Sequence, residues 1–206
     1  MLRLWGRMSS INVRKVVWTL RELHLEYERR EAGGAFGIVD TPDYRRQNPN
    51  GLVPLLEDGT FVLWESNVIV RYLCAKHALG TLCPETLQAR ADAERWMDWQ
   101  QTTLNPAGRD AFIQLVRTPA EKRNTQLLER SIAATDVLFA LLDRHFADRE
   151  YVCGARFTMA DIPLGCEAHR WFNLPRAHGS WPHVERWYAA LRARPATDTV
   201  LDLPLQ

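Results

Sequence analysis

The chain has 206 residues, 46% of them apolar and 25% charged, and its 26 lysines and arginines nearly cancel its 25 aspartates and glutamates to leave a net charge of +1. So high an apolar fraction with so little net charge excludes a disordered chain, and near-neutrality argues against a nucleic-acid or anionic-membrane partner. At about 100–200 residues per domain, the length fits one large domain or two small ones.

No run approaches the roughly 18 consecutive apolar residues that a membrane-spanning helix needs. The start, Met1-Leu2-Arg3-Leu4-Trp5-Gly6, lacks the apolar core of a signal peptide. The expectation is a soluble, cytoplasmic protein. Cys74, Cys83, Cys153 and Cys166 show neither the close pairs of a zinc site nor the density of a disulfide scaffold. They read as structural thiols, and no metal is expected.

The first 77 residues alternate short strand and helix signals. Leu2–Trp5 is a β-type run and Gly6–Ser10 a turn. From Asn12 the apolar Val13, Val16, Val17, Leu20 and Leu23 recur at helical spacing, with Arg14, Lys15, Arg21 and Glu22 on the other face. Tyr27–Glu31 predicts a second strand, and a strand–helix–strand unit favours a parallel, right-handed crossover. Gly33, Gly34 and Gly37 form a flexible loop, because neither G-x-G-x-x-G nor GK[ST] is present to make a phosphate loop. Asn48-Pro49-Asn50-Gly51 is a dense turn signal, after which Val53–Glu57 and Thr60–Trp64 predict a hairpin turning at Asp58-Gly59. Pro54 enters the first of these strands, where its missing N–H is tolerable and a cis bond accessible. Glu65 to about His77 is helical, with Val68, Ile69, Tyr72 and Leu73 on one face.

Ala78–Glu85, carrying Gly80 and Pro84, reads as a linker. Everything beyond is helical in period: Leu87–Val116 with a break at Asn105-Pro106, then Ala120–Phe146, Met159–Phe172 and Pro182–Arg192. The expected organisation is a domain over 1–77, a linker over 78–86 and an all-helical domain over 87–206. Thr158-Met159-Ala160-Asp161 has capping-box spacing, with Thr158 bonding the Asp161 N–H and Asp161 reaching back. Trp96, Trp99 and Trp187 lie at helical spacing and read as core, whereas His169 and Arg170 beside Trp171 are candidates either for core or for the border of a pocket.

Four patches, in order and at matching spacing, resemble one family along essentially the whole chain. Ser10-Ile11-Asn12-Val13-Arg14-Lys15-Val16 resembles the serine-bearing first loop of cytosolic glutathione S-transferases of the serine type, the theta-, phi- or beta-like bacterial or plant-type classes. Asn48-Pro49-Asn50-Gly51-Leu52-Val53-Pro54 is similar to their N-P-x-G-x-V-P segment, and Glu65-Ser66-Asn67-Val68-Ile69 to their E-S-x-x-I segment. Thr158-Met159-Ala160-Asp161-Ile162 resembles the T-x-A-D-I patch of their helical domain. The resemblance implies an α/β thioredoxin-like N-terminal domain of order βαβαββα, followed by an all-α C-terminal domain. It also implies glutathione as co-substrate, an electrophilic small molecule as second substrate, detoxification as the role, and a homodimer joined through the helices beginning at Glu65 and Leu87.

The chemistry asked of these residues is definite. A thiol near pKa 8.5 is only a few per cent thiolate at neutral pH, and lowering it by about two units takes about 3 kcal/mol of preferential thiolate stabilisation. A hydroxyl donor to the sulfur contributes about 1.5–3 kcal/mol and a helix N-terminus about 0.3–2 kcal/mol. Ser10 is the candidate for that donor, with Ser9 a competing hydroxyl and Asn12 a candidate second donor; the alternative for each is a helix cap. Glutathione's γ-glutamyl end carries an ammonium and a carboxylate. Glu65 and Ser66, at a helix N-terminus, offer a carboxylate, a hydroxyl and free N–H groups to them, or else cap that helix. Val53, before Pro54, offers its backbone to the cysteinyl moiety as an added strand, with Leu52 and Pro54 flanking it.

Two departures from the family pattern stand out. Leu52 occupies the place where Lys, Arg or Gln often precedes the V-P pair, and no Lys or His occurs between His24 and Lys76 to hold the glycyl carboxylate. Arg45 and Arg46 are candidates for that task or else members of a solvated charge pair. Family geometry further implies Arg7, Met8, Arg109 and Phe112 as the second-substrate pocket and Asp98 as a contact to glutathione from a partner subunit. Glutathione-dependent peroxidase or disulfide-reductase chemistry, and a non-catalytic carrier or regulatory role, are the competing functions. No cysteine precedes Cys74, which disfavours a cysteine-type thioltransferase.

Overall fold

The computed structural model describes all 206 residues. The chain divides into two units, Met1–Cys83 and Pro84–Gln206. No helix is long and apolar enough to cross a membrane.

The first unit follows the expected order: β1 (Leu2–Trp5), α1 (Ile11–Glu22), β2 (Tyr27–Arg30), α2 (Pro42–Gln47), β3 (Leu55–Asp58), β4 (Phe61–Trp64) and α3 (Ser66–His77). The strands form one mixed sheet in the order β2-β1-β3-β4, with β1 and β2 parallel and the other pairs antiparallel. Successive strand residues point to opposite faces, and Leu55 and Leu56 are both buried, so the sheet is covered on both sides. One side is covered by α1 and α3, which pack on each other, and Val13, Val16, Val17 and Leu20 of the first and Ile69, Val70 and Leu73 of the second are all buried. Each such side chain contributes about 1.5–3 kcal/mol. On the other side Tyr44 of α2 packs with Ala32 and Leu55, and Trp5 leans on Tyr44 edge to face.

The hairpin turns one residue later than the sequence suggests. Asp58 pairs with Phe61, so Gly59 and Thr60 are the loop, with Gly59 at φ 64°. Glycine in the first of two central positions supplies the positive φ that a two-residue hairpin turn requires.

The second unit contains α4 (Leu87–Trp99), α5 (Asn105–Phe112), α6 (Thr125–His145), α7 (Asp161–Phe172) and α8 (Pro182–Arg192). The expected break at Asn105-Pro106 is absent; a π-helical turn at Gln100–Leu104 carries α4 directly into α5, and a second follows at Ile113–Arg117. Pro106 has no N–H for the preceding turn, and a local widening accommodates that loss. Ser131 of α6 also enters the ladder of α5: its hydroxyl donates to the Ala107 carbonyl and accepts the Ala111 N–H at 3.0 Å. Helix α6 begins at Thr125 rather than Ala120, because the Asn124 side chain caps it by accepting the Leu127 N–H.

Helix α7 is buried from Asp161 to Trp171, and its ionisable side chains are paired, whereas the Trp171 indole N–H is buried without an acceptor. The Arg170 guanidinium meets Glu167 and Asn105, and His169 bonds the Tyr188 hydroxyl and the Leu203 carbonyl. His169, Arg170 and Trp171 are therefore core of this unit, not a pocket border. The expected capping box forms only in part. Asp161 reaches back to the Thr158 N–H at 2.9 Å, but the Thr158 hydroxyl accepts from Ala160, and Asp161 is the first residue of the helix.

Candidate active site

One row of paired residues, Arg30, Trp5, Leu55 and Trp64, runs across β2, β1, β3 and β4. The segments beyond that row therefore emerge side by side at one end of the strands: the loop with Gly33 and Gly34 after β2, the loop from Arg7 to Ser10 after β1, Val53-Pro54 before β3, and Glu65-Ser66 after β4.

Ser10 occupies the N-cap position of α1 with extended backbone, and its carbonyl accepts the N–H groups of Val13 and Arg14 at 3.1 and 3.0 Å. Its hydroxyl caps nothing. A serine there ordinarily spends its oxygen on a first-turn amide; here it is free at the positive end of the helix. Asn12, in the first turn, has a buried amide oxygen with no hydrogen-bond partner, an uncommon condition in folded proteins. The loop before Ser10 is tied down by Arg14 Nε, which donates to the Met8 carbonyl at 2.8 Å, and by Arg29 Nη1, which donates to the Gly6 carbonyl at 2.9 Å.

The Asn48-Pro49-Asn50-Gly51 turn presents Val53. Buried Asn48 accepts the Asn50 N–H at 3.1 Å through Oδ1, while its Nδ2 and the Tyr44 hydroxyl both donate to the Leu52 carbonyl at 2.8 and 2.7 Å. Burial pushes the Tyr44 hydroxyl up to about 12, so it keeps its proton for that bond. Gly51 sits at φ 63°, where a Cβ would come within 2.8 Å of Arg45 Nη2 and 3.1 Å of the Val39 carbonyl oxygen. The Val53–Pro54 bond is cis, and the Val53 N–H and C=O make no hydrogen bond within the chain. The Leu52 carbonyl is committed, and its side chain is exposed.

Glu65 caps α3 with φ 71° and ψ 108°, a conformation rarely adopted by residues other than glycine. Its side chain is exposed and makes no capping bond, whereas Ser66 beside it is only 3% exposed. The turn thus holds an unpaired carboxylate and a hydroxyl next to the free N–H groups of a helix start.

Other sequence candidates fall elsewhere. Arg45 pairs with Asp40 at 2.6 Å and Arg46 with Asp43, both on the surface. Arg109 is exposed on α5, while Phe112 is buried, with the Arg117 and Arg170 guanidinium groups 4.8 and 5.3 Å from its ring centre. Asp98 lies on α4. All four cysteines are free; burial pushes the Cys74 thiol well up and the Cys153 thiol to about 12.

Comparison with known proteins gives this arrangement its context. Residues 1–75 match the family model of the glutathione S-transferase N-terminal domain, and residues 104–195 that of the C-terminal domain. Glutathione S-transferase GstB of Escherichia coli K12 is 43% identical over 207 residues, covering 100% of both chains. The chain belongs to the glutathione S-transferase family. Glutathione S-transferase 3 of Zea mays is 32% identical, with 99% of this chain and 95% of the maize protein aligned. The crystal structure of the theta class glutathione S-transferase from the citrus canker pathogen Xanthomonas axonopodis pv. citri, solved with glutathione bound, superposes with a TM-score of 0.96. It is 44% identical and covers 100% of this chain and 99% of that one.

Proposed function

We propose that this glutathione S-transferase holds glutathione along the strand ends of its first unit, stabilises the thiolate with Ser10, and directs it at an electrophilic carbon of a largely apolar small molecule. The observation that carries the reading is the free Ser10 hydroxyl at the start of α1, beside an unpaired Val53 backbone and the Glu65-Ser66 turn. Glu65 and Ser66 take the γ-glutamyl end, and Val53, between Leu52 and Pro54, pairs with the cysteinyl moiety. Asn12 gives a second polar group near the sulfur.

Residues 1–77 form the glutathione-binding domain and 87–206 the helical domain for the second substrate, joined by 78–86. Met8 of the first loop and exposed Arg109 of α5 are the residues proposed to meet that substrate. Catalysis is then activation of the nucleophile plus proximity. With Cys74 buried and the Cys153 thiol held at about 12, no thiolate of the protein itself is at hand for disulfide exchange at either position. That favours conjugation over thioltransferase chemistry.

The proposed setting is the cytoplasm, in a detoxifying role, as a homodimer through α3 and α4, where Val68 and Leu87 are exposed. A single-chain mass in light scattering would contradict the dimer. Retention on immobilised glutathione, followed by turnover of a panel of electrophiles and peroxides, tests the activity: conjugation without peroxide reduction is expected, and peroxide reduction alone would reverse the reading.

A further inference from the structure

Helical spacing puts Arg14 on the polar face of α1, yet the residue is only 4% exposed. Burying a guanidinium is costly unless acceptors meet it. One acceptor is the Met8 carbonyl, to which Arg14 Nε donates at 2.8 Å, while the backbone N–H of the same residue donates to the Ser10 carbonyl at 3.0 Å. Arg14 therefore holds both ends of the stretch Met8-Ser9-Ser10.

The start of the loop is fixed as closely. Gly6 donates its N–H to the Arg30 carbonyl at 2.8 Å, and its own carbonyl accepts Arg29 Nη1 at 2.9 Å. The Arg7 carbonyl accepts the Ser10 N–H at 3.1 Å. The Arg7 side chain lies against Gly33 and Gly34, where an added Cβ would come within 2.8 Å of Nη1 and 3.0 Å of Nε respectively. Each carbonyl from Gly6 to Met8 thus has its donor, and the Ser10 hydroxyl is left without a capping bond. Of these ties, the bond from Arg14 to Met8 joins the loop to the helix that begins at Ser10. Breaking it returns backbone freedom to Met8 and Ser9 and lets Ser10 turn to the ordinary cap geometry, with its oxygen on a first-turn amide. A misplacement of about 1 Å costs a reacting contact on the order of a hundredfold, so a looser loop has a measurable effect.

We propose that Arg14 is a positioning residue for the thiol chemistry: through the Met8 carbonyl it holds the Ser10 hydroxyl in the place from which it donates to the sulfur of glutathione. The inference rests on the proposed role of Ser10 and adds the side chain that keeps that hydroxyl in place. Ultraviolet titration of the thiol of glutathione bound to the full chain tests it, on wild type, Ser10→Ala, Arg14→Gln and the double variant. Arg14→Gln should raise the bound thiol's pKa by about 0.5–1 unit, equivalent to about three- to tenfold less thiolate at neutral pH. Calorimetric affinity for glutathione should stay within about twofold, since the Val53 backbone and the Glu65-Ser66 turn are untouched. Arg14→Lys, which keeps a donor for Met8, should recover part of the shift, and Arg14→Met should match Arg14→Gln, serving in its stead if glutamine in that buried place prevents folding. In the Ser10→Ala background, Arg14→Gln should add almost nothing, because a residue that acts through the hydroxyl then has nothing to act on. Additive shifts would overturn the proposal, as they would assign Arg14 a direct effect of its charge on the thiolate. So would a wild-type thiol pKa in folded Arg14→Gln or Arg14→Met. A Ser10→Ala protein with an unmoved pKa would instead bring down the reading of Ser10, and the inference with it.

Discussion

Trp187 of α8 donates its indole N–H to Asp161 Oδ1 at 2.9 Å, across 26 residues of sequence and with no solvent exposure of the carboxylate. The same carboxylate accepts the Val152 and Thr158 N–H groups, each at 2.9 Å, so it ties the start of α7 to the preceding loop and to α8. Asp161→Ala should orphan three buried donors at about 1–3 kcal/mol each before relaxation. A net loss of about 3–5 kcal/mol in denaturant unfolding is expected, well beyond the 0.5–2 kcal/mol or so of a simple cap. A loss below about 1 kcal/mol would show that the three bonds are dispensable.

Burial also pushes the Asp161 carboxyl up to about 6, against the opposing pull of those donors. Its folded value lies above the unfolded value, so the native state holds the proton more tightly. The resulting stabilisation is fully present below about pH 4 and is lost as pH rises through about 6. Measured against Asp161→Asn, which does not titrate, wild-type stability should decline between pH 4 and 6 and level off above. A difference that grew in wild type's favour over that window would contradict the assigned direction.

Glu65 holds a backbone conformation that glycine adopts freely. Glu65→Gly should therefore raise the melting temperature of the ligand-free protein, by relief of about 1 kcal/mol, while weakening glutathione binding through loss of the carboxylate. Calorimetric melting and glutathione titration on one sample check both halves. Lower stability with intact binding would remove Glu65 from the site.

Ser66→Ala separates binding from activation. Glutathione affinity should fall several-fold, because a buried hydroxyl beside the helix start is lost. The ultraviolet titration of the bound thiol should overlay wild type. A shift of a unit or more would merge two roles that the strand ends keep apart.

Much of this was legible because it is local. Leu2–Trp5, Pro182–Arg192 and the alternation of strand and helix before residue 77 follow from periodicity and turn residues alone. What escaped depends on partners distant in sequence. The π turns flanking α5 reflect Pro106 and a serine inserted from another helix, and the role of Asp161 depends on Trp187. In the site, the motif residues Ser10, Val53 and Glu65-Ser66 stand out in sequence through family resemblance. The contact of Arg7 with Gly33 and Gly34 does not, since it exists only once β1 and β2 lie parallel.

The central claim is that the Ser10 hydroxyl stabilises the thiolate, and titration of glutathione's thiol bound to Ser10→Ala tests it most directly. The substitution leaves the helix N-terminus, Val53 and the Glu65-Ser66 turn in place, so binding should hold within a few-fold. The bound thiol's pKa should rise by about one to two units, the equivalent of a charge-assisted bond of about 1.5–3 kcal/mol. Conjugation at neutral pH should fall by roughly ten- to hundredfold and recover in part as alkali supplies the thiolate, with Ser9→Ala far milder. A Ser10→Ala protein that kept the wild-type thiol pKa, while Ser9→Ala or Asn12→Ala raised it, would assign the thiolate to another donor.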